Sequence, residues 1–477
     1  MRPLPTTKIA GTALLLLVLM AGCTLAPDYQ RPEMPVAANL PVAEDGRKGR
    51  EAGTEATTLT AELGWREFFI DPGLQQLIAL SLANNRDLRE SALTVEAYQA
   101  QYRIQRAALL PAIGAEATGS KQRTLGSGSH ATSEVYAASV GITAYELDLY
   151  GRVRNLKDQA LEQYLAMEET HRSARISLVA EVARAYLTWL ADRELLAITE
   201  DTRRIEEESF LLIEQRAREG IATQLDLAQA RTSLETARAN LALYQRLVAQ
   251  EANSLAVLVG TTLPPSLLQA APPWRAQTLV ASPPSRLPSK ILRQRPDIMA
   301  AEHGLQGAYA DIGAARAAFF PTISLTATAG AISGDLSNLF DGHSGSWLFK
   351  PTVNLPIFTA GKLQAQLDTA EIRKDIFVVR YEKAIQTAFR EVADALVASQ
   401  TYEQQVQAQK ANLAANQDYH TLARDRYRQG VDSFLTLLDA QRSLYSARQR
   451  YLTVQLAQSV NQVNLYKALG GGWKERS

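Results

Sequence analysis

The sequence predicts a mainly helical protein with a small β part, built by tandem duplication of one half-chain unit. Three observations carry this. Related segments recur at a constant offset: "RAALLPAI" (106–113) matches "RAAFFPTI" (316–323), Gly220 matches Gly430, and "LVG" ending at Gly260 matches "ALG" ending at Gly470. The offset is 210 each time, as 316−106, 430−220 and 470−260. Glycine and proline are missing from 152–219 and 362–429, and again from 221–259 and 431–469. Stretches that long without either helix breaker read as long helices. Between them lie short segments that alternate apolar and polar residues with period two, which is the pattern of a strand.

The elements follow in order. Arg2 and Lys8 precede the short apolar run "ALLLLVLMA", so residues 1–22 read as a secretory signal. Cys23 is the only cysteine of the 477 residues, which leaves no disulfide framework and no cysteine metal site. "LMAGC" (19–23) resembles a bacterial lipobox, with Met20 where leucine is more usual. That resemblance implies a lipidated Cys23, and Thr24 in place of an aspartate implies delivery to an outer membrane. Residues 23–63 carry Pro, Ala, Gly and Thr without periodicity and read as an extended, poorly ordered tether.

The first repeat is expected over 64–260 and the second over 297–470, with a tail at 471–477. Each repeat has a 24-residue helical run, 87–110 or 297–320, that ends before a proline; Asp87 and Asp297 are the expected N-caps. The 68-residue segments would be roughly 100 Å long as helices. A helix of 24 and one of 39 sum to 63, close to 68, so two shorter helices stacked end to end would pair along one long helix. The apolar spacing supports antiparallel coiled-coil pairing: Leu234, Ala237, Leu241, Tyr244, Val248, Leu255 and Leu258 recur every three or four residues, with Glu251 as the charged member. Leu444, Ala447, Tyr451, Val454, Gln458, Asn461, Leu465 and Ala468 do the same. Residues 261–296 hold eight prolines and read as a stiff connector.

Strands are expected at about 112–123 and 134–149, and at about 322–333 and 346–358. Ile113, Ala115, Ala117 and Gly119 share one face, as do Ile323, Leu325, Ala327 and Ala329, and Trp347, Phe349, Val353, Leu355 and Ile357. Their length suits a tilted crossing of an outer membrane, with Trp347, Phe349, Tyr136 and Tyr145 as interfacial aromatics. A soluble sandwich fits the strands alone as well. In a membrane, however, a sheet must close, because unpaired edge amides in hydrocarbon cost several kcal/mol each. Single-chain barrels start at about eight strands. Four strands would therefore have to be shared among chains, and two, three or four copies would each satisfy this.

Lys+Arg and Asp+Glu both total 50, so the balanced charge supports no nucleic-acid partner. His130, His171, His303, His343 and His420 are scattered and form no HExxH, and "GSGSH" lacks the Lys-Ser/Thr of a phosphate loop. No catalytic set, metal site or cofactor site is expected, so the chain is not expected to be an enzyme.

"GWREFFIDPGLQQLI" (64–78), "NNRDL" (84–88), "IQRAALLPAI" (104–113), "LRQRPDI" (292–298), "IGAARAAFFPTISL" (312–325) and "YRQGVDSFLTLLDAQRSL" (427–444) span almost the whole mature chain. With them the chain resembles the TolC-like outer-membrane factor family, in its lipoprotein (NodT-type) branch. The resemblance implies a homotrimer in which four strands per chain complete a shared β-barrel and the helices form an α-barrel through the periplasm. It implies an exit duct of a tripartite efflux pump, docked on a periplasmic adaptor (membrane fusion protein) and served by an inner-membrane pump of the resistance-nodulation-division type. Drugs or toxic compounds would be the cargo; a type I-like secretion duct or an outer-membrane spacer are the alternatives. Carried over onto this sequence, Arg218, Gly220 and Leu225, and Arg428, Gly430 and Leu435, would touch the adaptor at the two helix turns. Leu435 and Asp439, four apart on one helix face, would close the duct. The first turn departs from the second, with Ala228 for Leu438 and Asp226 for Thr436.

Overall fold

In the computed structural model the described residues are 24–40, 64–126, 129–265, 268, 272–274 and 288–471. The expected signal and Cys23 lie outside them, as do residues 41–63, much of the connector and residues 472–477 of the expected tail. The chain forms two compact units. One holds Met1–Glu33, Thr94–Glu168 and Met299–Lys383; the other holds Met34–Leu93, Glu169–Ile298 and Ala384–Ser477.

The first unit contains the sheet: β1 (Ile113–Gly126), β2 (Ser129–Leu147), β3 (Thr322–Ser333) and β4 (Gly345–Asn354), antiparallel in the order β1-β2-β3-β4. The register puts the apolar faces together. Ile113 pairs with Ile142 and Ala115 with Val140; Val140 pairs with Ala329, and Ala329 with Trp347; Ala327 pairs with Phe349 and Ile323 with Val353. Directly paired residues lie on the same side of a sheet, so one face is apolar across all four strands. The second strand reads irregularly in the sequence because of a bulge between Ile142 and Tyr145. Ala144 takes φ +53° there, and its N–H bonds to Thr326 Oγ1 at 3.2 Å. The extra residue returns Tyr145 and Leu147 to the apolar face opposite Leu325 and Ile323. β2 starts earlier than expected. β4 ends at Asn354, not 358, since Pro356 has no N–H to donate. Pro351 lies within β4, an edge strand of the single chain's sheet.

The helices are α1 (Trp65–Phe68), α2 (Pro72–Asn84), α3 (Arg86–Ala107), α4 (Arg152–Arg218), α5 (Gln224–Val259), α6 (Pro296–Ala317), α7 (Lys362–Arg428) and α8 (Phe434–Ala468). A 3₁₀ turn at Ser289–Gln294 precedes α6. Asp87 and Asp297 are not N-caps; both lie inside the first turn. Asn85 caps α3 by accepting the Leu88 N–H at 2.8 Å, and Pro296 occupies the first position of α6, where a missing N–H costs nothing.

The core of the second unit gathers α1 and α2 around α4. Trp65, Phe68, Phe69, Leu74, Leu77 and Ile78 pack on Leu178, Val182, Tyr186 and Leu190, with Leu255, Val259, Val463 and Tyr466 closing the cluster. Asp71 caps α2 through the Leu74 N–H (2.8 Å) and also accepts from the Tyr186 hydroxyl (3.4 Å). Of the expected seam residues, Leu234, Ala237, Leu255, Leu444, Ala447, Val454, Asn461, Leu465 and Ala468 are buried. Burial, with Glu251 adding like charge, pushes the Asp192 carboxyl up to about 6.

Residues 24–40 are extended, as expected of the tether, but they are pinned. Thr24 Oγ1 donates to Asn155 Oδ1 at 3.0 Å. In the same unit the Tyr29 hydroxyl and Arg31 Nε donate to Glu302 at 2.9 and 2.7 Å. In the other unit Ser289 Oγ donates to the Ala37 carbonyl. A partly buried Glu302 needs such donors to offset its lost hydration.

Candidate functional site

The two turns that join α4 to α5 and α7 to α8 lie in the second unit and pack together. Ile213 and Ala230 from the first turn and Phe434 and Leu438 from the second form one buried cluster, flanked by Phe210, Ala222, Leu227 and Tyr427. The Arg216 guanidinium lies 5.3 Å from the centre of the Tyr427 ring and donates to its hydroxyl at 2.9 Å, a cation–π contact and a hydrogen bond between the two turns.

Both helices end in the same way. The Gly220 N–H bonds to the Ala217 carbonyl (3.1 Å) and the Ile221 N–H to that of Arg216 (2.8 Å). Gly430 and Val431 repeat this with Tyr427 (3.1 Å) and Arg426 (2.9 Å). This is the Schellman pattern, which needs a left-handed residue at the turn. Gly220 and Gly430 supply it at φ +72° and +74°. A Cβ at either would meet nothing within 4 Å, so the cost of replacement is conformational alone. Gly220→Ala and Gly430→Ala are each expected to cost about 1–2 kcal/mol locally, read as faster amide exchange at that turn with the rest of the protein unchanged.

The helices after the turns start differently. Thr223 and Asp226 form a capping box: the Asp226 N–H donates to Thr223 Oγ1 (3.1 Å), and the Thr223 N–H donates back to Asp226 Oδ2 (3.0 Å). With Thr436 at the matching position, the second turn has Ser433 Oγ 3.3 Å from Thr436 Oγ1 and no side-chain cap on the backbone. Instead Arg426 grips Asp432 with both arms, at 2.7 and 2.9 Å, and holds that carboxyl below its ordinary range. The departures in sequence thus have distinct structural jobs.

Most of the expected adaptor-contact residues face solvent. Arg218 has 75% of its side chain exposed and pairs with Glu214 at 3.2 Å. Leu225 is 66% exposed, Arg428 is exposed, and Leu435 is 54% exposed. Leu435 and Asp439 share the outward face of α8, while Leu437, Leu438 and Gln441 turn inward. Asp439 Oδ2 accepts the Tyr419 hydroxyl of α7 at 3.1 Å; partial burial and that carboxylate push the Tyr419 phenol up. The structure brings the two turns side by side, but no hydrogen bond or ion pair joins Arg218 to Arg428 or either to Asp439. Tyr419, Tyr427, Arg216 and the Arg426–Asp432 clasp were missed by the sequence reading. A charged pair flanking Gly430 that the first turn lacks (Arg216 and Ala222 stand there) was the one available signal. Among the described residues no group of three His, Cys, Asp or Glu is placed to hold a metal ion, and no helix is long and apolar enough to cross a membrane.

The family model described as "Outer membrane efflux protein" matches the chain twice, over residues 77–261 and 287–471. The two matches are again 210 apart, as 287−77 and 471−261. The chain is 54% identical to the probable efflux pump outer membrane protein TtgC of Pseudomonas putida, over 96% of this chain and 94% of that protein. It is 44% identical to the outer membrane protein OprJ of Pseudomonas aeruginosa, over 97% of this chain and 96% of that protein. Among solved structures it is similar to the open state of the MtrE outer membrane channel of Neisseria gonorrhoeae, with a TM-score of 0.83 and 37% identity over 95% of this chain and 99% of that one.

Proposed function

The chain belongs to the outer membrane efflux protein family, and from that premise we propose that three copies form one exit duct for small toxic molecules, docked through their helix turns on a periplasmic adaptor. The observation that carries this reading is the open sheet. β1 and β4 are both edges, and each has an apolar face. Trp347, Phe349 and Val353 are 78%, 59% and 63% exposed. In hydrocarbon neither the unpaired edges nor four strands alone are tolerable, so β4 of one copy would pair with β1 of the next. The helices beside these edges also leave surface uncovered. α3, which leads into β1, buries no residue, and α7, which follows β4, exposes Ile372, Ile376 and Val379 at helical spacing. Unlike faces that meet head to tail generate a ring. Three copies give twelve strands, the number that the likeness to TolC-like channels implies.

The inner-membrane partner would be a resistance-nodulation-division pump, which supplies the energy and selects the cargo. The duct itself performs no chemistry. Cys23 would carry a diacylglycerol and an acyl chain after removal of residues 1–22. The pinning of Thr24 to Asn155 and of Arg31 to Glu302 supports an anchor that must hold the first residues after it in a fixed place.

Two linked measurements test the reading. Native mass of the detergent-solubilised protein should give a trimer whose chains each begin at a lipidated Cys23. In planar bilayers the same preparation should give small, flickering, cation-selective conductance. A monomer, or a chain of unmodified mass, would overturn the corresponding part.

A further inference from the structure

The buried seam beneath the outward face of α8 contains a carboxyl group that the duct reading does not use. Glu206 of α4 is 4% exposed, and its Oε2 has no hydrogen-bond partner. Gln441 of α8 is 9% exposed, and its Oε1 also has no hydrogen-bond partner. Gln441 sits in the inward stripe Phe434, Leu437, Leu438, Gln441 and Leu444, where an apolar residue would be ordinary. Its amide Nε2 reaches Ser209 Oγ at 3.4 Å, which sets it against the helical turn that bears Glu206. Each of the two helices thus brings a buried acceptor oxygen to this seam that no donor serves. A hydrogen bond left unmade there is costly for each group, and a bare carboxylate costs more.

The surrounding charges do not relieve it. On α4, Arg203 is occupied by Glu207, which also takes Arg238 of α5. α5 brings Ser233, which is not titratable. α8 brings Arg442, the one charge that acts on Glu206, and its Nη2 donates to Ser233 at 2.9 Å. Arg448 of α8 pairs with Asp201. On α7, burial first, and Arg424 and Arg448 next, hold the His420 imidazole below its ordinary range.

We propose that Glu206 is a positioning residue for α8, carried as the neutral acid whose proton bonds to Gln441 Oε1, and that its ionisation loosens the helix bearing Leu435 and Asp439. The proposal rests on the reading of those two residues as the closure of a duct. It belongs to one repeat only: the residue 210 positions on is Asn416, which is half-buried and bonds to its own helix at the Asn412 carbonyl.

Burial raises the Glu206 carboxyl to about 7 from an ordinary 4.5, against a smaller opposing effect of Arg442. The sign follows. Between those values the packed state binds a proton that the loosened state releases, so packing weakens as pH rises through the window and is level below and above it. Within the window, each step of one in pH changes the packing equilibrium by up to tenfold.

The test is hydrogen–deuterium exchange of the full lipidated assembly at pH 5.5 and 7.5, corrected for the intrinsic rate, followed over residues 434–445. Protection in the parent protein should fall by about twentyfold between the two values. In Glu206→Gln, whose amide keeps the shape and supplies a donor, protection should be high and equal at both. Planar-bilayer conductance should follow, with more opening at pH 7.5 in the parent protein only. An unchanged pH dependence in Glu206→Gln, its absence in the parent protein, or failure of the isosteric variant to assemble would each overturn the proposal. Failure of the duct reading would look different: conductance would be absent from both proteins at both pH values, whatever the exchange shows.

Discussion

Replacing Leu435 and Asp439 together by alanine is expected to raise the resting single-channel conductance several-fold. The argument is that the outward and inward faces of α8 are separable. Leu435 is 54% exposed, and Asp439 touches the rest of the chain through the Tyr419 hydroxyl. The inward residues Phe434 (5% exposed) and Leu438 (0%) hold the turns together and are left intact. Exposed substitutions of this kind usually change stability by no more than about 0.5 kcal/mol, so the variant should assemble normally. What it removes is three apolar side chains and three carboxylates from one ring of the proposed trimer. Like charges brought together attract cations, so Asp439→Asn alone should lower cation selectivity more than it raises conductance. Tyr419→Phe should act in the same direction as the double variant but more weakly, since it frees Asp439 without deleting it. Unchanged conductance in a correctly assembled double variant would remove Leu435 and Asp439 from the closure.

Much of this site was legible in the sequence, and the limit is instructive. Gly220 and Gly430 declare themselves because a left-handed turn after a long glycine-free helix has a strong residue preference. That Leu435 and Asp439 share one face of α8 follows from their spacing of four; that this face is the exposed one comes from the packing. The strand faces were legible from period two, except where the bulge at Ala144 changes phase, which no local pattern announces. The caps were misplaced by two residues because Asp87 and Asp297 are good cap residues that the chain uses at the second helical position instead; in the first repeat Asn85, just as good a cap, wins because Leu258 gives it a second role. The pinned residues 24–40 were read as loose because composition reports propensity and cannot report Tyr29 and Arg31 converging on Glu302, roughly 270 positions away. Glu206 and Gln441 were invisible for the same reason: a glutamate on a long helix is ordinarily a solvated charge.

Losing Arg295 should cost more stability than losing its repeat counterpart Asn85, and the duplication explains why. Arg295 stands 210 positions after Asn85, and Ala468 stands 210 after Leu258. Asn85 Nδ2 donates to the Leu258 carbonyl at 2.9 Å, and Arg295 Nη1 donates to that of Ala468 at 2.6 Å. In each repeat, therefore, the residue just before the short helix satisfies a carbonyl in the last turn of the final helix, where none is available from within the helix. The second repeat adds charge to this joint. Arg295 is 6% exposed, and it also binds Asp297 (3.0 and 2.7 Å) and Glu391 of α7 (2.8 Å). Burial works against its charge, yet the bonds to Asp297 and Glu391 leave the guanidinium held above its ordinary range. Removing one member of a buried pair costs about 3–5 kcal/mol when the other is left dry. Here Asp297 and Glu391 are 38% and 39% exposed and recover part of their hydration, so about 3 kcal/mol is the expected loss for Arg295→Met. Asn85→Leu, which forfeits uncharged bonds only, should cost about 1–2 kcal/mol. Arg295→Lys should fall between them, because an ammonium keeps the charge but cannot reach three partners as a planar fork does. Thermal denaturation of the three purified variants would rank them. Equal midpoints for Arg295→Met and Asn85→Leu would mean that the joint is held by its backbone carbonyl alone, and that the charge on Arg295 contributes nothing to it.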